Sequence, residues 1–111
     1  MIFINIEDFY ANAAACFVMT RQEEVECAKK MQAGDTEARE QLIQSYMPMV
    51  AAHIRHTRPE WQQLGLVVYC KKALEKAVDS FNFLQDSEKF AHRLSWWLRQ
   101  ATTNYIADRR M

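Results

Sequence analysis

Two glycines and two prolines are all the punctuation that this 111-residue chain carries. They are Gly34, Gly65, Pro48 and Pro59, and no strand-like alternation bounded by turn residues lies between them. Long uninterrupted stretches with apolar residues at three- and four-residue spacing can bury themselves only as helices. An all-α fold is therefore expected, a compact bundle of about five helices, and a chain of this length supports one domain around one core.

The first helix is predicted from about Ile6 to Val18, with Ile6, Phe9, Tyr10 and Ala13 on its inner face. Thr20 starts the second, because Thr20-Arg21-Gln22-Glu23 has the reciprocal hydrogen-bonding pattern of a capping box; Val25, Ala28 and Met31 line its inner face. Gly34 ends it in the left-handed conformation, and Asp35 or Thr36 starts the next helix, which carries Ala38, Leu42, Ile43, Tyr46, Met49, Val50 and Ile54. Pro48 removes one backbone donor in its middle, which predicts a bend rather than a break. A loop over Thr57 to Glu60 leads to a fourth helix from Trp61 to Phe81, then a polar turn from Asn82 to Ser87, with Asp86 or Ser87 capping a final helix from Phe90 to Arg110.

That last helix has two unlike faces. Phe90, Leu94, Trp97, Leu98, Ala101 and Tyr105 form the stripe that docks on a core. His92, Trp96, Arg99, Gln100 and Thr103 form another, spaced i, i+4, i+7, i+8 and i+11, where solvent is expected. It joins a large π-surface, cations, and a Gln and a Thr able to bond a base edge, which suits nucleic acid. The alternative is a tryptophan pair that belongs to the core, with one ring at its margin. Formal charge sums to zero, which excludes a uniformly basic coat. DNA contact must then come from local clustering, as in Arg93, Arg99, Arg109 and Arg110 against the single acid Asp108.

Cys16, Cys27 and Cys70 form no Cys-x-x-Cys pair and read as reduced, buried thiols. No stretch has the length of a membrane span, and the start Met-Ile-Phe-Ile-Asn-Ile-Glu-Asp lacks a basic n-region, so a cytoplasmic protein away from membranes is expected. His53 and His56 lie one turn apart, but no further ligand completes a zinc set, so they read as solvated polar residues and no metal is expected. No P-loop, nucleophile elbow, zinc-protease motif or acid–base carboxylate pattern is present. The chain reads as neither an enzyme nor a binder of a cofactor or small-molecule substrate.

The local words and their order resemble bacterial sigma-70 family RNA polymerase sigma factors. Met19 to Asp35 resembles the end of that family's first conserved region, and the helix with Ala38-Arg39, Leu42-Ile43 and Pro48-Met49-Val50 resembles the one that follows. Lys76-Ala77-Val78-Asp79, Phe81, Lys89-Phe90, Trp96-Trp97-Leu98-Arg99-Gln100-Ala101 and Ile106-Ala107-Asp108 resemble the second region, its promoter-recognition domain. On this reading residues 1–34 resemble the end of the first region and 35–111 the second. The downstream modules, which read the minus-thirty-five element and fill the active-site channel, are missing from this sequence.

The resemblance implies transcription initiation, with binding to RNA polymerase and recognition and opening of the promoter minus-ten element. Gln100 and Thr103 would read the double-stranded upstream base pair. Trp96 and Trp97 would form the wedge, with Phe81, Phe83 and Phe90 around the pocket for flipped non-template bases, and Arg93 and Arg99 beside them. Unstacking a base costs a few kcal/mol and each base stacked on an aromatic ring returns about 1–3 kcal/mol, so one pocket nearly offsets one opened pair.

Three departures from the family pattern matter. Arg93 stands where the family has a pocket Tyr, and one extra residue falls between Phe83 and Lys89. On the preceding helix, the Asp, Gln and Asn that dock on the polymerase clamp become Gly65, Val68 and Lys71, beside Tyr69, Lys72 and Glu75. The partner surface is then the core clamp or, alternatively, an anti-sigma factor held by a sigma mimic that does not read DNA.

Overall fold

Helices form wherever the apolar spacing is continuous, and the first three begin at a side chain that accepts a backbone N–H. The computed structural model describes residues 3–86 and 89–110. Among them are α1 (Ile6–Ala14), α2 (Arg21–Gln32), α3 (Thr36–Ser45), α4 (Met47–Arg55), a 3₁₀ turn (Pro59–Trp61), α5 (Leu64–Ser80), α6 (Phe83–Asp86) and α7 (Phe90–Arg109). No strand occurs among the described residues. With α3 and α4 taken as one interrupted rod and α6 as a single turn, five rods make an all-α bundle.

The caps explain the boundaries. Asn5 accepts from the Asp8 N–H at 2.8 Å and opens α1. The capping box at Thr20 closes in both directions, with Glu23 N–H to Thr20 Oγ1 at 3.2 Å and Thr20 N–H to Glu23 Oε1 at 2.9 Å. Gly34 turns the chain at φ +97°, a backbone conformation that a side chain would resist, and Asp35 accepts from the Ala38 N–H at 3.1 Å. Of the two candidate starts for α3, the N-cap is therefore Asp35.

Four boundaries differ from expectation. α1 stops at Ala14 instead of Val18, because its inward stripe ends at Ala13, and Phe17 and Val18 are left exposed at 69% and 63%. Pro48 has no N–H to return to Gln44, and the rod breaks for one residue: Tyr46 sits at φ −99°, ψ 0° with its N–H on the Ile43 carbonyl at 3.1 Å. α5 starts at Leu64 instead of Trp61. Gln62 turns in to donate to the carbonyls of Thr57 (3.1 Å) and Arg55 (3.3 Å) and to accept from Tyr10 (2.7 Å), which draws the chain out of helical geometry. The stretch expected as a polar turn contains α6, whose Phe83 is buried. The expected cap at Asp86 or Ser87 falls partly outside the described residues, and Lys89 is the N-cap position of α7.

One apolar cluster joins all the rods, from Phe9 and Ala13 through Leu42, Val50 and Ile54 to Leu74, Val78, Leu94 and Leu98. α5 and α7 pack antiparallel over most of their length, Gly65 opposite Arg109, Tyr69 opposite Tyr105, and Phe81 opposite Phe90. Arg39 locks α3 to the end of α5 by a two-pronged pair with Asp79, at 2.7 and 2.9 Å. Cys27 and Cys70 are buried; Cys27 donates to the Ala38 carbonyl at 2.9 Å, and burial pushes the Cys70 thiol up to about 12. Cys16 is only partly buried, unlike the expectation for all three, because it follows the last turn of α1. No helix among the described residues is long and apolar enough to cross a membrane.

Candidate nucleic-acid interface

α7 carries both faces that its spacing implies. Phe90, Leu94, Leu98, Ala101 and Tyr105 are buried, Trp97 is half-buried, and His92, Trp96, Arg99, Gln100 and Thr103 are exposed. Trp96 is 52% exposed, the largest apolar surface that α7 leaves to solvent. Its indole meets that of Trp97 edge to face, with centroids 5.6 Å apart and planes at 87°. At about 100° per residue, Gln100 leans from Trp96 toward α5 while Thr103 and Arg99 lean the other way. Arg99 approaches α4, where it helps to lower the pKa of His53; burial is the larger cause and His56 a smaller one.

Trp97 divides two openings between α7 and the elements beside it. The larger, about 430 Å³, is a groove lined by Tyr69, Lys72, Ala73, Lys76, Trp96, Trp97, Gln100, Ala101 and Asn104. The smaller, about 210 Å³, is lined by Ser80, Phe81, Asn82, Arg93 and Trp97. It has an aromatic wall on each side and amide, hydroxyl and guanidinium groups at its rim, which are the groups that hold a planar heterocycle. Arg93, in place of a tyrosine, offers that opening a cation that can lie on a ring.

Phe83 and Phe90 lie deeper than a base-contacting role requires, at 1% and 0% exposure. They form a floor: Phe81–Phe83 at 5.1 Å, Phe81–Phe90 at 5.2 Å, Phe83–Phe90 at 4.6 Å and Tyr46–Phe90 at 4.7 Å. Of the three, only Phe81 borders the smaller opening. Their support is indirect, since they fix the ring of Phe81 and the first turn of α7.

The six residues expected on a partner-facing surface split between two faces of α5. Gly65, Tyr69 and Lys72 fall on the side toward α7, and Val68, Lys71 and Glu75 fall on another. Gly65 is occupied by internal packing. A Cβ there would lie 2.9 Å from Tyr105 Cε1 and Oη and 3.0 Å from Arg109 Nη2, so the glycine is what lets α7 approach. Tyr69 donates to the Asp108 carboxylate, which holds the phenol above its ordinary range. Lys72 borders the larger groove. On the second face Val68 is 51% exposed, and Glu75 lies 3.9 Å from Arg39.

His53, expected to be solvated, is half-buried and bonded through Nε2 to Thr102 Oγ1 at 2.8 Å, because Thr102 faces α4 across the core edge. Among the described residues no group of three or more His, Cys, Asp or Glu could hold a metal ion. The site residues that spacing alone did not single out are Lys76, Asn104, Ser80 and Asn82. Two carry a signal: Lys76 follows Lys72 by one turn, and Asn104 follows Gln100 by one turn.

The chain is 35% identical over 92 residues to the RNA polymerase sigma factor SigA of Listeria monocytogenes, and equally to that of Listeria innocua. It is similar to sigma factors over most of its length. The match covers 82% of this chain and 24% of each relative, so the chain spans about a quarter of the length of the curated relatives it matches. No protein-family model matches it, and no solved structure does.

Proposed function

We propose that this chain is a module of a sigma-70 type transcription initiation factor that binds RNA polymerase and recognises and opens a minus-ten-like promoter element. The reading rests on one observation above the others. Trp96 stands half out of the fold beside Gln100 on the larger groove, with Trp97 between it and the opening that Phe81 walls. The work is physical. The exposed indole replaces a base in the duplex stack, the unpaired base moves into the smaller opening, and Gln100 and Thr103 bond the edge of the last intact pair. No covalent step, metal or cofactor is involved, so the module is not an enzyme.

The test is binding to a forked probe carrying a single-stranded minus-ten sequence. Trp96→Ala should lower affinity about 5- to 150-fold, the equivalent of the about 1–3 kcal/mol that one stacked base contributes. Gln100→Ala should chiefly relax base preference at the fork. Wild-type binding by both variants would reject the reading.

A specific observation favours a second reading, a sigma mimic that holds an anti-sigma protein without reading DNA. Val68 is 51% exposed on the α5 face that also carries Lys71 and Glu75, a mixed apolar and charged patch suited to a protein partner. Recovery of a small regulator without polymerase, abolished by Val68→Asp, would support it.

A further inference from the structure

Lys72 belongs by sequence to a partner-facing set, but α5 delivers it to the same groove as Trp96 and Gln100. Lys76 follows one turn along the same edge, and Asn104 lines the groove from α7. The two lysines rise about 6 Å apart along α5, far enough to serve different phosphates of one strand. Neither forms an ion pair among the described residues. No carboxylate lines the groove. Of the acids nearest along the two helices, Asp79 and Glu75 face Arg39, and Asp108 stands at the Tyr69 end, bonded to that hydroxyl. Ala73 and Ala101 form a floor of small residues that keeps the groove open. In a chain whose charges sum to zero, this is a local cationic channel beginning at an exposed tryptophan.

We infer that the α5–α7 groove is a track for the sugar–phosphate backbone of a nucleic-acid strand, in which Lys72 holds a phosphate and Asn104 bonds the backbone from the opposite side. The inference rests on the promoter-binding reading and extends it beyond the Trp96 wedge. The strand whose base lies on Trp96 continues between the helices past Lys76 and Lys72, short of the Tyr69–Asp108 pair. Its phosphates are gripped there without regard to sequence.

Salt dependence tests this directly. With the forked probe, Lys72→Gln should reduce the slope of log affinity against log salt by about 0.7–1, as expected for one lost phosphate contact, and leave the ranking of probe sequences unchanged. Lys29→Gln, on α2, should not change the slope. Methylphosphonates in place of the phosphates flanking the stacked base should weaken wild type more than they weaken Lys72→Gln. Ala73→Leu, which fills the floor, should mimic the loss.

If Trp96→Ala loses binding while Lys72→Gln keeps the wild-type slope, the track is rejected and the promoter reading stands. If Trp96→Ala binds like wild type, or wild type does not bind the probe, both fall. Lys72-dependent competition by an acidic peptide at equal strength would reassign the groove to a protein partner. Because Lys72 is exposed, the variant should retain the wild-type helical content by circular dichroism.

Discussion

The indole of Trp96 stands at 87° to that of Trp97 with centroids 5.6 Å apart, one ring in solvent and the other wedged between two openings. Adjacent residues of one helix thus carry opposite tasks. Trp97 is held by the core and gives its neighbour a rigid backing, which is what a stacking surface needs if ordering it is not to consume the gain.

The two rings should separate in a stability measurement. Trp97→Ala is expected to cost about 2 kcal/mol, below the range for a fully interior tryptophan because part of the ring is exposed. Trp96→Ala should stay within about 1 kcal/mol of wild type. Urea unfolding of the two variants checks this, and equal losses would contradict the division of labour.

Gly65→Ala should destabilise although alanine is the better helix former. The added methyl meets a tyrosine fixed by its bond to Gln63 at 2.7 Å and by its contact with Tyr69 at 5.1 Å. Overpacking of this kind costs about 1–3 kcal/mol, against a propensity gain of up to about 1 kcal/mol. Tyr105→Leu in the same chain should remove most of the penalty of the added methyl, read as a double-mutant cycle.

Acid should weaken the fold through His53. Burial first, then Arg99 and His56, holds its folded pKa below the ordinary imidazole value, so the unfolded chain binds the proton more readily. The contribution is present above the unfolded pKa, near 6.5, and is lost as pH falls from there toward the folded value. Thermal unfolding should show a fall in Tm over that window that His53→Gln largely removes, while wild type and variant run parallel above about pH 7.5.

The Arg39–Asp79 pair titrates at lower pH. The guanidinium holds the Asp79 carboxyl below its usual range, so the stabilisation is present above the unfolded pKa and disappears as pH falls through the folded one. Asp79 is exposed, so screening limits the effect: Arg39→Ala should cost no more than about 1 kcal/mol at neutral pH and should lose that difference in strong acid. Chemical denaturation at two pH values reads both arms.

The two faces of α7 were legible because a 20-residue helix repeats its pattern often enough for each residue's side to be unambiguous. The capping box at Thr20 was legible because both partners lie within four residues. What escaped depends on contacts distant in sequence. Gln62 leaves the helix to reach Tyr10, 52 positions away, and nothing near Trp61 announces it. Phe83 looked like part of a polar turn because Asn82, Gln85, Asp86 and Ser87 outnumber the apolar Leu84 beside it, yet its ring packs on Phe81 and Phe90. Lys72 could be placed on a helix but not on a side, since only the packing of α7 against α5 decides which of its edges borders a groove.

The single residue that interrupts the α3–α4 rod also ties distant parts together. Tyr46 donates its hydroxyl to Glu24 of α2, while its ring lies on Phe90, which backs Phe81. A displacement of the amino-terminal third therefore reaches the wall of the smaller opening through two aromatic contacts, by way of the first residue of α7. That segment acts as a strut for the edge that carries Phe81: removing the phenol–carboxylate latch would loosen it and leave only the packing of α2 on α6 as a brace.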